Sequence, residues 1–211
     1  MSWMNLSNIA YLLPLIAAYL IGSIPMGFLM GKLFFKSDIR TSGSGNIGAT
    51  NALRSFGVVA GVIVLLLDAA KGFLAVYIAK TLFPDVTPII ILTGAMVVIG
   101  HVFSLFLRFR GGKGVATAAG VFVALSWLPL LLALMVFILM TSLTRYVSVG
   151  SILGAISLQI FTIIQSILQN SSDVYLVLFT SLIVLLIVLK HQSNLSKLIA
   201  GNENKISFKK K

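Results

Sequence analysis

Apolar residues run along this chain in long unbroken stretches separated by short polar loops, with no polar face recurring at helical spacing. A helix that crosses a bilayer needs about 20 mostly apolar residues at about 1.5 Å rise each. On that measure the pattern predicts spans over 8–31, 56–80, 87–107, 147–168 and 174–190. The stretch from Val115 to Thr144 is too long for one span and short for two. Trp127-Leu128-Pro129 lies at its middle; tryptophan favours the headgroup layer, and proline disfavours helix in the residue before it. A split there gives short spans over 114–127 and 129–144, and seven spans in all. The predicted fold is all-α, a polytopic integral-membrane helical bundle. Residues 1–211 form a single membrane-embedded domain with a basic tail from about residue 191.

Composition supports lipid as the solvent. Only 10% of residues are charged and mean hydropathy is +1.06, whereas soluble domains carry about 25% charged residues. The chain has no cysteine, which excludes disulfides, thiolate metal ligands and cysteine nucleophiles. A net charge of +11 raises the question of nucleic acid, but the bases sit in short loops between apolar stretches, a pattern of membrane topology. Met1 to Ala10 lacks the positive region of a signal peptide, so the first apolar stretch reads as a retained span. With seven spans and an external N-terminus, every one of the 16 basic residues except Lys80 and Lys71 falls on the cytoplasmic side. That count includes Lys209, Lys210 and Lys211. Without the split, Arg145 and the lysine-rich tail fall on opposite sides. The positive-inside bias therefore predicts an outside N-terminus and a cytoplasmic C-terminus.

Under this topology the polar clusters converge on the cytoplasmic face. The first inner loop carries Thr41-Ser42-Gly43-Ser44-Gly45-Asn46-Ile47-Gly48-Ala49-Thr50-Asn51, then Arg54. The second carries His101, Ser104 and Arg108-Phe109-Arg110-Gly111-Gly112-Lys113-Gly114. The third is Arg145-Tyr146-Val147-Ser148 with Ser151, and the tail adds His191, Asn194, Lys197 and Glu203. Such clusters suit oxyanions. Gly43, Gly45 and Gly48 allow backbone N–H groups to converge, a helix N-terminus follows, and Arg54 and Lys113 add positive charge. Neither loop has the Walker spacing, which argues against a nucleotide-driven pump. Asp68 and Lys71 stand three residues apart on one helix face inside the second span, so they must face the bundle interior. They read as an ion pair that supports the first loop or touches a substrate. His101 has no carboxylate near it in sequence and reads as a hydrogen-bonding structural residue. The five acidic residues are scattered, so no metal site and no cofactor is expected.

Three of these segments resemble a known family. They are Gly43 to Asn51, Gly100-His-Val-Phe-Ser104 through Gly114, and His191-Gln-Ser-Asn194 through Gly201-Asn-Glu203. In order and in content they resemble the bacterial PlsY family, the acyl-phosphate:glycerol-3-phosphate acyltransferases. Leu67 to Gly72 and Val147 to Ser151 are similar too, so the resemblance spans nearly the whole chain. It implies seven helices in the bacterial cell membrane and an active site at the cytoplasmic face. It also implies acyl phosphate as donor, and a functional link to the soluble enzyme that makes it. Carried over by position, Ser44, Arg54, Lys113 and Asn194 look like ligands of glycerol 3-phosphate, with His191 a further catalytic candidate. The segment around Gly43, Gly45, Asn46, Gly48, Thr50 and Asn51 resembles the phosphoryl cap, with Gly112 and Ser151 as further substrate-binding candidates. The His-x4-Asp pair of other glycerolipid acyltransferases is missing: five residues after His101 is Phe106, and five after His191 is Ser196. Positioning, oxyanion stabilisation and the acceptor's own phosphate as base remain as the source of rate. The alternative is a membrane transporter for a phosphorylated metabolite, which usually shows an internal repeat and a midplane site. No repeat is evident in this chain.

Overall fold

The structure, a computed structural model, describes residues 6–170 and 173–206, with side chains from residue 11 onward. The N-terminal residue and Lys209, Lys210 and Lys211, used above for orientation, lie outside the described residues. Every regular element among the described residues is helical.

The first predicted span is two helices, α1 (Leu6–Ser23) and α2 (Met26–Phe34), bent by 44°. Pro25 lies at the break, where its ring and missing N–H interrupt the ladder. The freed backbone is caught from other helices. Ser104 Oγ donates to Ser23 O at 2.5 Å, and Lys71 Nζ donates to Ile24 O at 3.1 Å. Interrupted backbone at membrane depth is tolerated only where protein re-satisfies it in this way. A short helix α3 (Ala49–Phe56) precedes α4 (Val58–Leu82), and α5 (Thr87–Val102) follows.

The stretch expected to split does so. The break falls at Ser126, between α6 (Val115–Leu125) and α7 (Trp127–Thr144), two residues earlier than the sequence pattern suggested. Pro129 lies within the first turn of α7, where its missing N–H has no intrahelical partner to lose. The chain continues through α8 (Val147–Leu168), α9 (Val174–Lys190) and α10 (Gln192–Ile199), the last two bent by 49° at His191. Among the described residues four helices are long and apolar enough to cross a membrane, or up to six spans if each bent pair is one. The 11-residue α6 is apolar but shorter, about 16 Å long at an ideal helical rise.

Small residues bring the helices together, as packing in lipid requires. A Cβ on Gly22 or Gly100 would strike the backbone of α5 or α1 respectively, and one on Gly72 or Gly120 would strike α6 or α4. Both helix pairs are thus in backbone contact. The main core gathers Val97, Val121, Phe122 and Phe179, with the two phenylalanine rings stacked 5.5 Å apart. A second cluster, Met30, Ile39, Ile47, Ala52 and Val64, anchors the first polar loop onto α2 and α4. Outward residues such as Leu66 and Leu139 are exposed, which suits a lipid-facing surface.

Candidate active site

The first loop is built around Asn51. It is buried, its Oδ1 accepts from the Ser44 N–H at 2.8 Å, and its Nδ2 donates to the carbonyls of Ile39, Ser42 and Asn46. Gly43 has φ +60°, and a side chain there would collide with the Asn51 amide oxygen. This revises the role expected for several residues. The Gly45 N–H is bound to Ser42 O, and the Gly48 N–H to Asn46 Oδ1 at 2.9 Å. The amides of Ser44, Gly45 and Gly48 and the side chain of Asn51 are therefore spent on folding the loop. Gly43 and Gly45 shape it from behind. What stays open is the N-terminus of α3. Its N-cap is Gly48, without a capping side chain, and the first-turn residues Ala49 and Thr50 line a cavity. First-turn amides have no helical partner and attract anions.

That cavity, of about 240 Å³, collects most of the predicted site. Ser44, Asn46, Gly48, Thr50, Asn51 and Arg54 reach it from the first loop and α3. Lys113 comes from the second loop, Ser151 from α8, and His191 and Asn194 from the bend between α9 and α10. Gly43, Gly45, Gly112 and Lys71 are not on its wall. Arg54 Nη2 donates to Asn204 O at 2.7 Å, while Arg54 Nε is buried without a partner among the described residues. Lys113 Nζ donates to Asn194 Oδ1, and Asn194 Nδ2 donates to Glu203 Oε1 at 2.7 Å. Burial pulls Lys113 down to about 8, with Glu203 opposing and Arg54 and Lys197 adding to the fall. Burial likewise lowers Arg54, again opposed by Glu203. His191 Nδ1 lies 2.7 Å from Ile187 O. A carbonyl can only accept, so Nδ1 carries the proton there, and in the neutral ring Nε2 is left as an acceptor.

Beneath the second loop lies a charged cluster that sequence reasoning saw only in part. Asp68 and Lys71 do pair, with Oδ1 and Nζ 2.9 Å apart and both side chains almost fully buried. His101 joins them from α5. Its Nδ1 is 2.9 Å from Lys71 Nζ and 3.4 Å from Asp68 Oδ1. An ammonium can only donate, so the shorter contact makes Nδ1 the acceptor. The opposite tip of the ring, Nε2, occupies the space where a side chain on Gly112 would stand. The Gly111 and Gly112 amides bond back to the carbonyls of Val102 and His101. Gly112 is thus a packing position that seats the loop, where a direct substrate contact was expected. Asp68 and His101 also line the cavity, so the cluster borders the site through these two members and not through Lys71.

Ser148 and Glu203 also belong to the wall. Ser148 Oγ is buried with no partner among the described residues. It precedes Ser151 by three residues, a spacing that puts both on one face of α8. Glu203 was visible within the third motif, an acid among bases, but its spacing alone named no partner. On its apolar side the cavity runs into a groove of about 60 Å³ between α6, α7, α8 and α9. The two share Val115, Ala119, Leu134, Phe137 and Ser151.

A helical membrane bundle with a cationic, anion-seating cavity joined to an apolar groove is the frame of an enzyme acting on phosphorylated amphiphiles. The family model described as glycerol-3-phosphate acyltransferase matches residues 12–201, and the chain belongs to that family. A glycerol-3-phosphate acyltransferase of Desulforamulus reducens is 49% identical over 204 residues, covering 96% of this chain and 98% of the relative. The glycerol-3-phosphate acyltransferase 2 of Bacillus anthracis is 43% identical, over 92% and 98%. The crystal structure of PlsY (YgiH), an integral membrane glycerol 3-phosphate acyltransferase, in its glycerol 3-phosphate form, matches at a TM-score of 0.87. It is 37% identical, over 94% of this chain and 96% of that one. Its lysophosphatidic acid form matches at 0.84. Family membership sets aside the transporter reading.

Proposed function

We propose that this chain transfers an acyl group from acyl phosphate to the 1-hydroxyl of glycerol 3-phosphate, giving lysophosphatidic acid. The setting is a seven-span bundle in the bacterial cell membrane, α6 counted as a span, with the site facing the cytoplasm. A soluble acyl-phosphate synthase supplies the donor. The observation that carries this reading is the shared cavity. Arg54, Lys113 and the uncapped N-terminus of α3 meet there, beside a groove fit for an alkyl chain. The orphaned Arg54 Nε and Ser148 Oγ are the polar atoms a bound substrate would satisfy.

In the proposed step the acceptor hydroxyl oxygen attacks the acyl carbonyl carbon, forming the ester C–O bond. The mixed-anhydride C–O bond then breaks and phosphate leaves with the electron pair. The hydroxyl proton passes to the phosphate of glycerol 3-phosphate. Ser44, Arg54, Lys113, His191 and Asn194 position the acceptor, and Thr50, Asn46 and Ser151 the donor. The protein's contribution is orientation and electrostatic stabilisation. Asp68, Lys71 and His101 hold the second loop in register.

The test supplies purified protein in lipid with labelled glycerol 3-phosphate and, separately, acyl phosphate, acyl-CoA and acyl carrier protein thioester. Product is expected with acyl phosphate. Glycerol, which keeps the hydroxyl but lacks the phosphate, should be a very poor acceptor even at high concentration. Glycerol acylated at comparable kcat, or a labelled acyl-protein adduct trapped without acceptor, would overturn the direct, substrate-assisted route.

A further inference from the structure

The segment after α10 does not leave the bundle. It turns at Gly201, with φ +70°, and runs back across the polar end of the cavity. Arg54 holds Asn204 O, the Ile206 N–H donates to Arg145 O at 2.8 Å, and the Lys205 ammonium stands 5.6 Å over the Tyr146 ring. This strap carries Glu203 to the cavity wall, where its carboxylate accepts from Asn194 Nδ2 at 2.7 Å. The same amide's oxygen accepts from Lys113 Nζ. An asparagine amide has two flips of nearly equal shape, and only one turns its oxygen to an ammonium. A carboxylate can only accept, so Glu203 selects the flip that serves Lys113.

We infer that Glu203 is a positioning residue for the acyl transfer: bound to Asn194, it sets the amide that aims Lys113 at the phosphorylated substrate. The inference rests on Lys113 being a substrate contact, as proposed above. Charge acts in the same direction as geometry. The groups facing Lys113 are Glu203 from the strap, Arg54 from α3, Lys197 from α10 and His191 from the bend. Of these, Glu203 is the one that favours the ammonium, against burial, Arg54 and Lys197. With the ammonium as the active form, kcat/KM holds below the pKa of Lys113, about 8, and is lost as pH rises through it. Removing the carboxylate charge lowers that pKa, so the alkaline limb moves toward acid.

Glu203→Gln keeps an acceptor oxygen for Asn194 and removes the charge. Its kcat/KM for glycerol 3-phosphate should already fall at low pH, because a glutamine amide can also donate and no longer fixes the Asn194 flip. Its alkaline limb should fall lower by on the order of one pH unit, roughly a further tenfold deficit at pH 8. Glu203→Asp, which restores the charge, should return the limb to the wild-type position. An unmoved limb in the Gln variant would overturn the inference. So would a uniform loss at every pH that Asp does not repair, or a Gln chain whose thermal unfolding in detergent shows it no longer folds. Lys113→Gln is measured in parallel. If that variant keeps wild-type kcat/KM, the functional reading of Lys113 fails, whatever the Glu203 variants do.

Discussion

Replacing Gly112 with alanine isolates the contact between the charged cluster and the second loop. Its backbone φ lies outside the left-handed region, so alanine meets no conformational penalty there. The added Cβ would sit about 1.2 Å inside the 3.4 Å at which ordinary contact with His101 Nε2 begins. The ring has little room to retreat, because Lys71 holds its other nitrogen and its residue is buried. The loop must therefore give way, and Lys113 is the next residue along. A displacement of about 1 Å at a reacting site costs on the order of 100-fold in rate. Overpacking of this kind costs about 1–3 kcal/mol of stability, so the variant should still fold. The assay is initial-rate acyl transfer to labelled glycerol 3-phosphate in lipid, with helicity followed by circular dichroism. A folded Gly112→Ala protein with wild-type kcat/KM would refute the idea that His101 seats the loop.

Arg54→Ala should lower kcat/KM for glycerol 3-phosphate by roughly 10–100-fold, from the loss of a charge-assisted hydrogen bond of about 1.5–3 kcal/mol; unchanged kinetics in a folded variant would remove Arg54 from the site. Asp68→Ala strands the Lys71 ammonium in the interior and should cost about 3–5 kcal/mol in a reversible unfolding titration. Asp68→Ala/Lys71→Met, which removes both charges, should be less destabilised, and a double variant worse than either single one would contradict the pairing. Because the chain has no cysteine, single introduced cysteines report topology. Position 113 should label from the cytoplasmic side and position 85 from outside, and external labelling of position 211 in sealed cells would sink the seven-span arrangement.

How far the chain could be read in advance depended on the range of the forces involved. Spans and loops were legible because hydropathy is a local property, and the break before α7 announced itself through Trp127 and Pro129. The break at Pro25 did not, because the residues on both sides are apolar and the groups that stabilise it, Lys71 and Ser104, lie far along the chain. The pairing of Asp68 with Lys71 was visible from helical spacing. His101 was not assigned to them, since 30 positions separate it from Lys71. The first loop was read as an anion site from its glycines and short polar residues. Which amides face the ligand was another matter. Asn51 turns inward and consumes the ones that composition seemed to offer, leaving the start of α3. Glu203 was quoted within a motif but given no role, because its meaning depends on a strap that folds back over residues far upstream.

Leu134 belongs to the walls of both the cavity and the apolar groove, and it is 40% exposed. In the membrane setting proposed above, the groove takes its acyl chain from the bilayer. For an acyl donor held along that groove, the reservoir is the surrounding leaflet, and the quantity that sets occupancy is its mole fraction there. Diluting the host membrane with inert lipid, at constant total donor and enzyme, should slow turnover as though substrate had been removed. Glycerol 3-phosphate, drawn from water, should show no such dependence. On the proposed reading the protein works at a phase boundary, with one substrate counted per volume and the other per area.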